Sequence, residues 1–573
     1  MRQTLPQHLT ICTVCNIFLR IMKDLRRLTT SAFLAGFMIP LFSAASAFSQ
    51  SLTVADVQLI IAQAVSTAAS LNRPVTVSVT DKEGNLLGTF AMTGAPANTL
   101  IRSVGRADQG LENISVPAAA ASHSKAGTAG LLSSGGNAFS TRTASFIIQE
   151  HFPPGIDNRP GGPLYGVQFS TLPCSDIAIA GLPLGLSGDA GGLPIYKNGV
   201  AVGGIGVEGD GTYTVDRIPT DNDQPDEEII AFAGTRGFEA PALIRADNIL
   251  VEGVRLAYAN VASAPVVTVL PFGSLPGAVT APVLAAPPSD FVPAVLNGVN
   301  GQFSSRFPII AGSALSVSEV TQILGAAADY ANRTRGAIRQ PIGSNARVTI
   351  AVTDIDGKVL GIFRQPDAPV FGLDVSVQKA RSSGFFARGD AGAKLAAAGF
   401  GSYVTRANAD GLGLNGSVAF SDRGIGFLHR PLFPDGINGT TAGPFSSLLA
   451  DWSPFNNGLQ LDLVFTALTT LPPPMCRGAA YTKRAMLPAP CPCTAIPELR
   501  NGLQIFAGGI PLYRGSTLIG AIGVSGDGID QDDLIAAGGA NLFPPPDAIR
   551  SDKFFVRGVR LPFLKFPARP FLD

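Results

Sequence analysis

Histidine, lysine, cysteine and clustered carboxylates are the groups through which this chain could do chemistry. Four histidines are present, and three of them, His123, His151 and His429, lie beyond the N-terminal segment. Imidazole is the commonest nitrogen ligand for a metal, and His123 stands two residues before Lys125. An ordinary surface or loop residue is the alternative for each of the three. Lys125 and Lys379 could each attract a carboxylate, and a solvated helix lysine is the other reading of both. Between Glu208 and Glu228 stand the acids Glu208, Asp210, Asp216, Asp221, Asp223, Asp226, Glu227 and Glu228, against the lone base Arg217. Clustered oxygens suit calcium. Yet Asp221-Asn-Asp-Gln-Pro-Asp226 lacks the glycine of an EF-hand loop, and acids that begin a helix favour its dipole without any metal. No metal is therefore identified.

Gly204-Ile-Gly-Val-Glu-Gly209 has the spacing G-x-G-x-x-G. A dinucleotide fingerprint needs those glycines between a strand and a helix N-terminus, whereas acids follow here, so the glycines are read as permitting close backbone packing and a turn. Cys174, Cys476, Cys491 and Cys493 lie beyond the N-terminal segment. Cys174 follows Thr171-Leu-Pro and Cys476 lies just beyond Thr470-Leu-Pro, so Cys476 is expected to pair with Cys491 or Cys493. No Ser-His-Asp set, paired-carboxylate signature or metal-type Cys/His spacing stands out, and the chain reads as a binder or accessory protein rather than an enzyme.

The elements that position these groups follow from composition and periodicity. Of 573 residues 46% are hydrophobic and 15% charged, with 42 basic and 42 acidic side chains. Zero formal charge argues against a nucleic-acid partner, which needs surplus cations. The 65 glycines and 44 prolines indicate a globular, loop-rich chain. Lys23, Arg26 and Arg27, the apolar run from Ser31 to Phe42 and then Ala45-Ser-Ala47 have the layout of a signal peptide at 1–47, with a possible over-called start before Met22. The apolar run is short of the ~20 residues a spanning helix needs. The mature protein is thus expected to be secreted or periplasmic, with no membrane contact.

The rest reads as a tandem repeat. Thr53-Val-Ala-Asp56 matches Ser316-Val-Ser-Glu319 as a capped helix start. Val75-Thr-Val-Ser-Val-Thr-Asp81 and Val348-Thr-Ile-Ala-Val-Thr-Asp354 match as strands, each returning through a turn at Gly84 or Gly357 to complete a hairpin. Later, Gly192-Leu-Pro-Ile-Tyr196 matches Gly509-Ile-Pro-Leu-Tyr513, and the two glycine-rich runs at 203–211 and 520–528 correspond. Acid-started helices follow at Glu227 and Asp532, then Ile244–Leu256 and Ile549–Leu561 as last strands. The fold class is α+β: two units, 48–260 and 315–573, each an antiparallel sheet flanked by helices with long loop insertions. Residues 261–314, with eight prolines, read as a Pro-rich linker.

The opening helix, the V-T-V-S-V-T-D strand, G-x-P-x-Y and Gly520-Ala-Ile-Gly-Val-Ser-Gly-Asp-Gly-Ile-Asp-Gln-Asp532 resemble the GlcG/HbpS type of haem-binding domain. That domain is also found at the C-terminus of PduO adenosyltransferases. The resemblance is most specific from Gly509 to Ala537. It implies a profilin-like fold, a tendency to form homo-oligomers, and haem or another small molecule as ligand. A ligandless structural module and a haem-degrading enzyme are the alternatives. It also implies His123 as axial candidate and Lys125 and Lys379 as partners of a propionate; separately, Cys491-Pro492 looks like a Cys-Pro haem motif, with a disulfide as the favoured reading. The position matching His123 is Val377, so the second unit is expected to bind weakly or not at all.

Overall fold

The computed structural model describes residues 50–103, 109–469 and 492–572. The expected signal peptide, Cys476 and Cys491 lie outside them. Helix α1 (Val54–Ser70) starts where the Thr53 hydroxyl accepts from the Asp56 amide and the Asp56 carboxylate accepts from Thr53 N–H. Its stripe Val57, Ile60, Ile61, Ala64 and Val65 is buried, the i, i+3, i+4, i+7 face of an amphipathic helix.

Strands β1 (Thr76–Asp81) and β2 (Leu86–Met92) form the first hairpin. Asp81 holds its turn, its Oδ1 accepting from the amides of Glu83 and Asn85 at 2.9 Å each. Helix α2 (Ala118–Leu132) lies on the sheet, and the short helix α3 (Thr141–Ile147) follows it. Strands β3 (Gly192–Lys197) and β4 (Val200–Glu208) make the second hairpin, turning at Asn198-Gly199, where φ is 50° and 78°. That left-handed pair is the backbone a tight hairpin turn requires. Helix α4 (Asp226–Gly234) completes the unit. The glycines of β4 act as expected of packing residues: a Cβ on Gly204 would stand 2.1 Å from the Ala126 carbonyl of α2.

Strand β5 (Gly277–Ala281) pairs with β2, giving a first sheet ordered β5-β2-β1-β4-β3. Strands β6 (Phe291–Leu296) and β7 (Val299–Ser304) lead into helix α5 (Val317–Arg333), capped by Ser316 and Glu319. The hairpin β8 (Val348–Thr353) and β9 (Val359–Arg364) is followed by helix α6 (Gly372–Phe386) and the short α7 (Asp422–Leu428). Strands β10 (Gly509–Arg514) and β11 (Thr517–Gly526) and helix α8 (Ile529–Ala540) close the second half. The second sheet is ordered β6-β7-β9-β8-β11-β10, every pairing antiparallel. The architecture is mixed α+β with antiparallel sheets.

Two expectations need correction. Residues 261–314 are more than a connection, because β5 extends the first sheet and β6 and β7 extend the second. Of their prolines only Pro293 falls within a strand, β6, which is the edge of the second sheet, where a missing N–H breaks no internal ladder. The segments expected as last strands, Ile244–Leu256 and Ile549–Leu561, are 3₁₀ turns followed by two-residue hairpins outside both sheets. Glu252-Gly253 and Arg557-Gly558, at positive φ, reverse the chain before a longer strand can form.

The described residues from Gln50 onward form one unit. The two halves meet through reciprocal bonds: Asn158 N–H donates to Asn438 Oδ1 at 2.9 Å, and Asn438 N–H to Asn158 Oδ1 at 3.0 Å. Asp374 of α6 accepts from Thr171 N–H and the Ser175 hydroxyl, and Arg381 grips Asp176 with two bonds of 2.8 Å. The same first-half loop carries Cys174, disulfide-bonded to Cys493 with Cα atoms 5.0 Å apart. Cys493 is therefore unavailable to Cys476, which corrects one of its two expected pairings; the other, with Cys491, lies outside the described residues. The loop at 171–178 crosses onto the second half and brings together cysteines 319 residues apart, which no local spacing reveals. Among the described residues no helix is long and apolar enough to cross a membrane.

Candidate functional site

The shared lysines point inward. Lys125 of α2 is fully buried. Its Nζ lies 2.7 Å from Asp189, 2.9 Å from Glu208 and 2.6 Å from Glu227, and it donates to the Val207 carbonyl. Burial alone would lower its pKa, but the three carboxylates outweigh that and hold it well above the ordinary value. Burial pushes Asp189 up to about 8, against the pull of Lys125, and pushes Glu227 up as well. Three carboxylate oxygens here lie within 4.8 Å of one another, a spacing a cation could use. The ammonium of Lys125 already occupies that position.

Lys379 of α6 is buried in the matching way. It donates to the Val524 carbonyl at 2.8 Å and to Asp532 at 2.9 Å, with the Phe506 ring 4.5 Å away. Burial raises Asp532 to about 7. Both lysines thus take their anionic partner from the protein itself, and neither ammonium reaches solvent. Four of the remaining acids between 208 and 228 pair with arginine: Arg142 holds Asp216, Asp223 and Glu228, and Arg73 holds Asp226. Sequence comparison had aligned Glu227 with Asp532; the shared lysine and shared acid together were the signal for these buried pairs.

The histidines are dispersed. His123 is buried in α2, its Nε2 3.2 Å from the Gly84 carbonyl. His151 bonds the Arg159 carbonyl through Nδ1. His429, fully buried at the end of α7, bonds the Ile425 carbonyl at 2.8 Å, and burial drives its pKa down to about 3. The structure does not gather the three.

What it does form is an apolar cavity of about 180 Å³ between the halves. Leu132, Phe139, Ile147 and Leu164 line it from the first half, and Ile338, Phe371 and Ile529 from the second. The only charged side chains in its wall are Glu252 and Asp530, with Gln531 beside them. Lys565 spans the two carboxylates at 3.1 Å from each, and Arg423 lies 2.6 Å from Asp530. Ile529, Asp530 and Gln531 belong to the run that carries the family resemblance, but none of these lining residues was expected from the sequence to form a site.

In the second half, phenylalanines stand at two positions that match this wall. Leu132, seven residues after Lys125, corresponds to Phe386, seven after Lys379. Leu164 N–H donates to the Ile147 carbonyl and Phe445 N–H to the Leu428 carbonyl, both at 3.1 Å, which makes Leu164 and Phe445 equivalent. Phe386 packs 5.2 Å from Phe445 and 6.4 Å from Phe420. Two phenyl rings stand where the cavity wall has two leucines.

Comparison with known proteins agrees with the local resemblance. No curated protein matches the chain. The solved PduOC–haem complex is 19% identical over 34% of this chain and 98% of its own, with a TM-score of 0.22. A double mutant of Streptomyces reticuli HbpS is 23% identical over 36% and 97%, TM-score 0.19. Klebsiella pneumoniae protein ORFY is 22% identical over 33% and 91%, TM-score 0.21. Residues 479–541 match the model of the haem degrading protein HbpS-like family, and that segment contains Gly509–Ala537, so the HbpS-type resemblance read from those residues holds.

Proposed function

We propose that this chain is an exported, small-molecule-binding accessory protein of the HbpS type, built as a tandem pair of profilin-like units. One observation carries the reading. The segment that matches the HbpS-like family supplies Gly526, Gly528, Ile529, Asp530 and Gln531 to the wall of the cavity. Concave, mainly apolar sites with a few polar groups at one side are where small ligands bind. Export rests on the basic cluster, apolar run and Ala45-Ser-Ala47.

Haem itself does not fit this cavity. No imidazole, thiol, thioether or phenol lines it, so iron would find none of its usual axial donors. Its volume is near the ~150 Å³ of an engineered cavity that holds benzene, the scale of one ring rather than a macrocycle. The second reading, haem at His123, is favoured by the family description alone. Titrating the mature chain with haem and with benzyl alcohol separates the two. The account expects a saturable rise in Tm with benzyl alcohol that Leu164→Phe removes. A Soret shift lost in His123→Ala, with no response to benzyl alcohol, would favour haem instead.

A further inference from the structure

The inference deepens the reading of the cavity as a ligand site and rests on it. We infer that the cavity selects a single-ring apolar molecule with a neutral or cationic head group and discriminates against carboxylates. The walls set the body of the ligand. Leu132, Phe139, Ile147, Leu164, Phe371 and Ile529 offer no hydrogen-bonding side chain, and the space they leave is about 180 Å³. A ring bearing two or three further carbons is the class this volume takes.

Charge sets the head group. Both ionisable side chains in the wall, Glu252 and Asp530, are acids. The nearest cations are already engaged: Lys565 bridges those two carboxylates, and Arg423 holds Asp530 together with Asp533. At this edge three carboxylates face two cations. An incoming carboxylate would have to compete with protein acids for Lys565. An ammonium or hydroxyl donor instead finds acceptor oxygens on Glu252, which is 45% exposed, and on Gln531. Charged contacts of this kind give specificity more than raw affinity, and desolvating a carboxylate without a free partner is costly.

The test uses three probes that share one phenylethyl body and differ in head group, on the mature chain at pH 7: 2-phenylethylamine, 2-phenylethanol and 3-phenylpropionate. The expected result is a saturable rise in Tm with the amine and the alcohol, and binding at least tenfold weaker for the propionate. Glu252→Gln, at a partly exposed side chain, should narrow the gap between amine and propionate without disturbing the fold. Leu164→Phe should abolish the response to all three. If the propionate binds as tightly as the amine, the charge selection is overturned while the cavity stands as a ligand site. If no probe binds, the cavity reading itself is overturned.

Discussion

The two halves of this molecule solve the same packing problem with different side chains. In each, a buried lysine on the helix over the sheet donates to a strand carbonyl and meets an acid at the start of a later helix: Lys125 with Val207 and Glu227, Lys379 with Val524 and Asp532. Around that shared pair they diverge. The first half adds Asp189 and Glu208 to its lysine, where the second has Phe506 at one matching position and Ser525 at the other. At the cavity the trend reverses, and the first half has Leu132 and Leu164 where the second has Phe386 and Phe445. One half carries surplus buried charge and leaves space, whereas the other carries fewer acids and fills the space with rings. Surplus charge and unfilled volume both cost stability, so the two halves meet that cost at different places around the same framework.

The sharpest break of this comparison is to remove each lysine in turn. Losing one partner of a buried ionic group leaves the others uncompensated, at a cost of about 3–5 kcal/mol. Lys125→Met should reach that range in urea unfolding above pH 8, where Asp189 is ionised. Lys379→Met, which strands fewer acids, should lower the midpoint less, and equal losses would show that the extra carboxylates carry no net charge in the folded state.

Next comes the link between the halves. The Cys174–Cys493 disulfide closes a loop of 319 residues, and constraining so long a loop stabilises a folded chain by roughly 2–5 kcal/mol. Cys174→Ser should lower the unfolding midpoint accordingly. A change in reductant should then leave the variant unaffected, which is the readout that separates lost cross-linking from lost packing.

A smaller effect is a dependence on pH. Asp189 has its pKa raised by burial to about 8, from roughly 3.9 in an unfolded chain. A group whose folded pKa is raised contributes stability that is full below the unfolded pKa and lost as pH rises through the folded one. Stability should therefore decline between about pH 4 and pH 8. Asp532, at about 7, and Asp81, also raised to about 7 by burial, contribute in the same direction. Asp189→Asn should flatten the slope of Tm against pH over that window, and an unchanged slope would remove Asp189 from the account.

The features legible in the sequence were the local ones. The Thr53 and Ser316 caps, the hairpins turning at Gly84 and Gly357, and the close approach of β4 glycines to α2 each depend on residues a few positions apart or on backbone size. Lys125 and Lys379 stood out because both halves have them. Their surroundings did not, because Glu227 and Asp532 lie 102 and 153 residues away along the chain, and burial turns apparent ligand-binding cations into internal ion pairs. The acids after Glu208 looked like a cluster, but Lys125 and Arg142 divide them in space. The cavity was hidden for a different reason. It depends on leucine meeting a wall from the other half, and a leucine-for-phenylalanine difference carries no chemical signature until the two helices are packed.

Xenon bound in a crystal of the protein tests most directly the claim that an accessible apolar site lies beside Leu132 and Leu164 and that the matching positions Phe386 and Phe445 leave none. Dry apolar cavities of this size take up xenon. The account predicts one xenon peak among Leu132, Leu164 and Ile529, absent in Leu164→Phe, and none among Phe386, Phe420 and Phe445. Xenon beside the phenylalanines, or no xenon between Leu132 and Leu164, would contradict it.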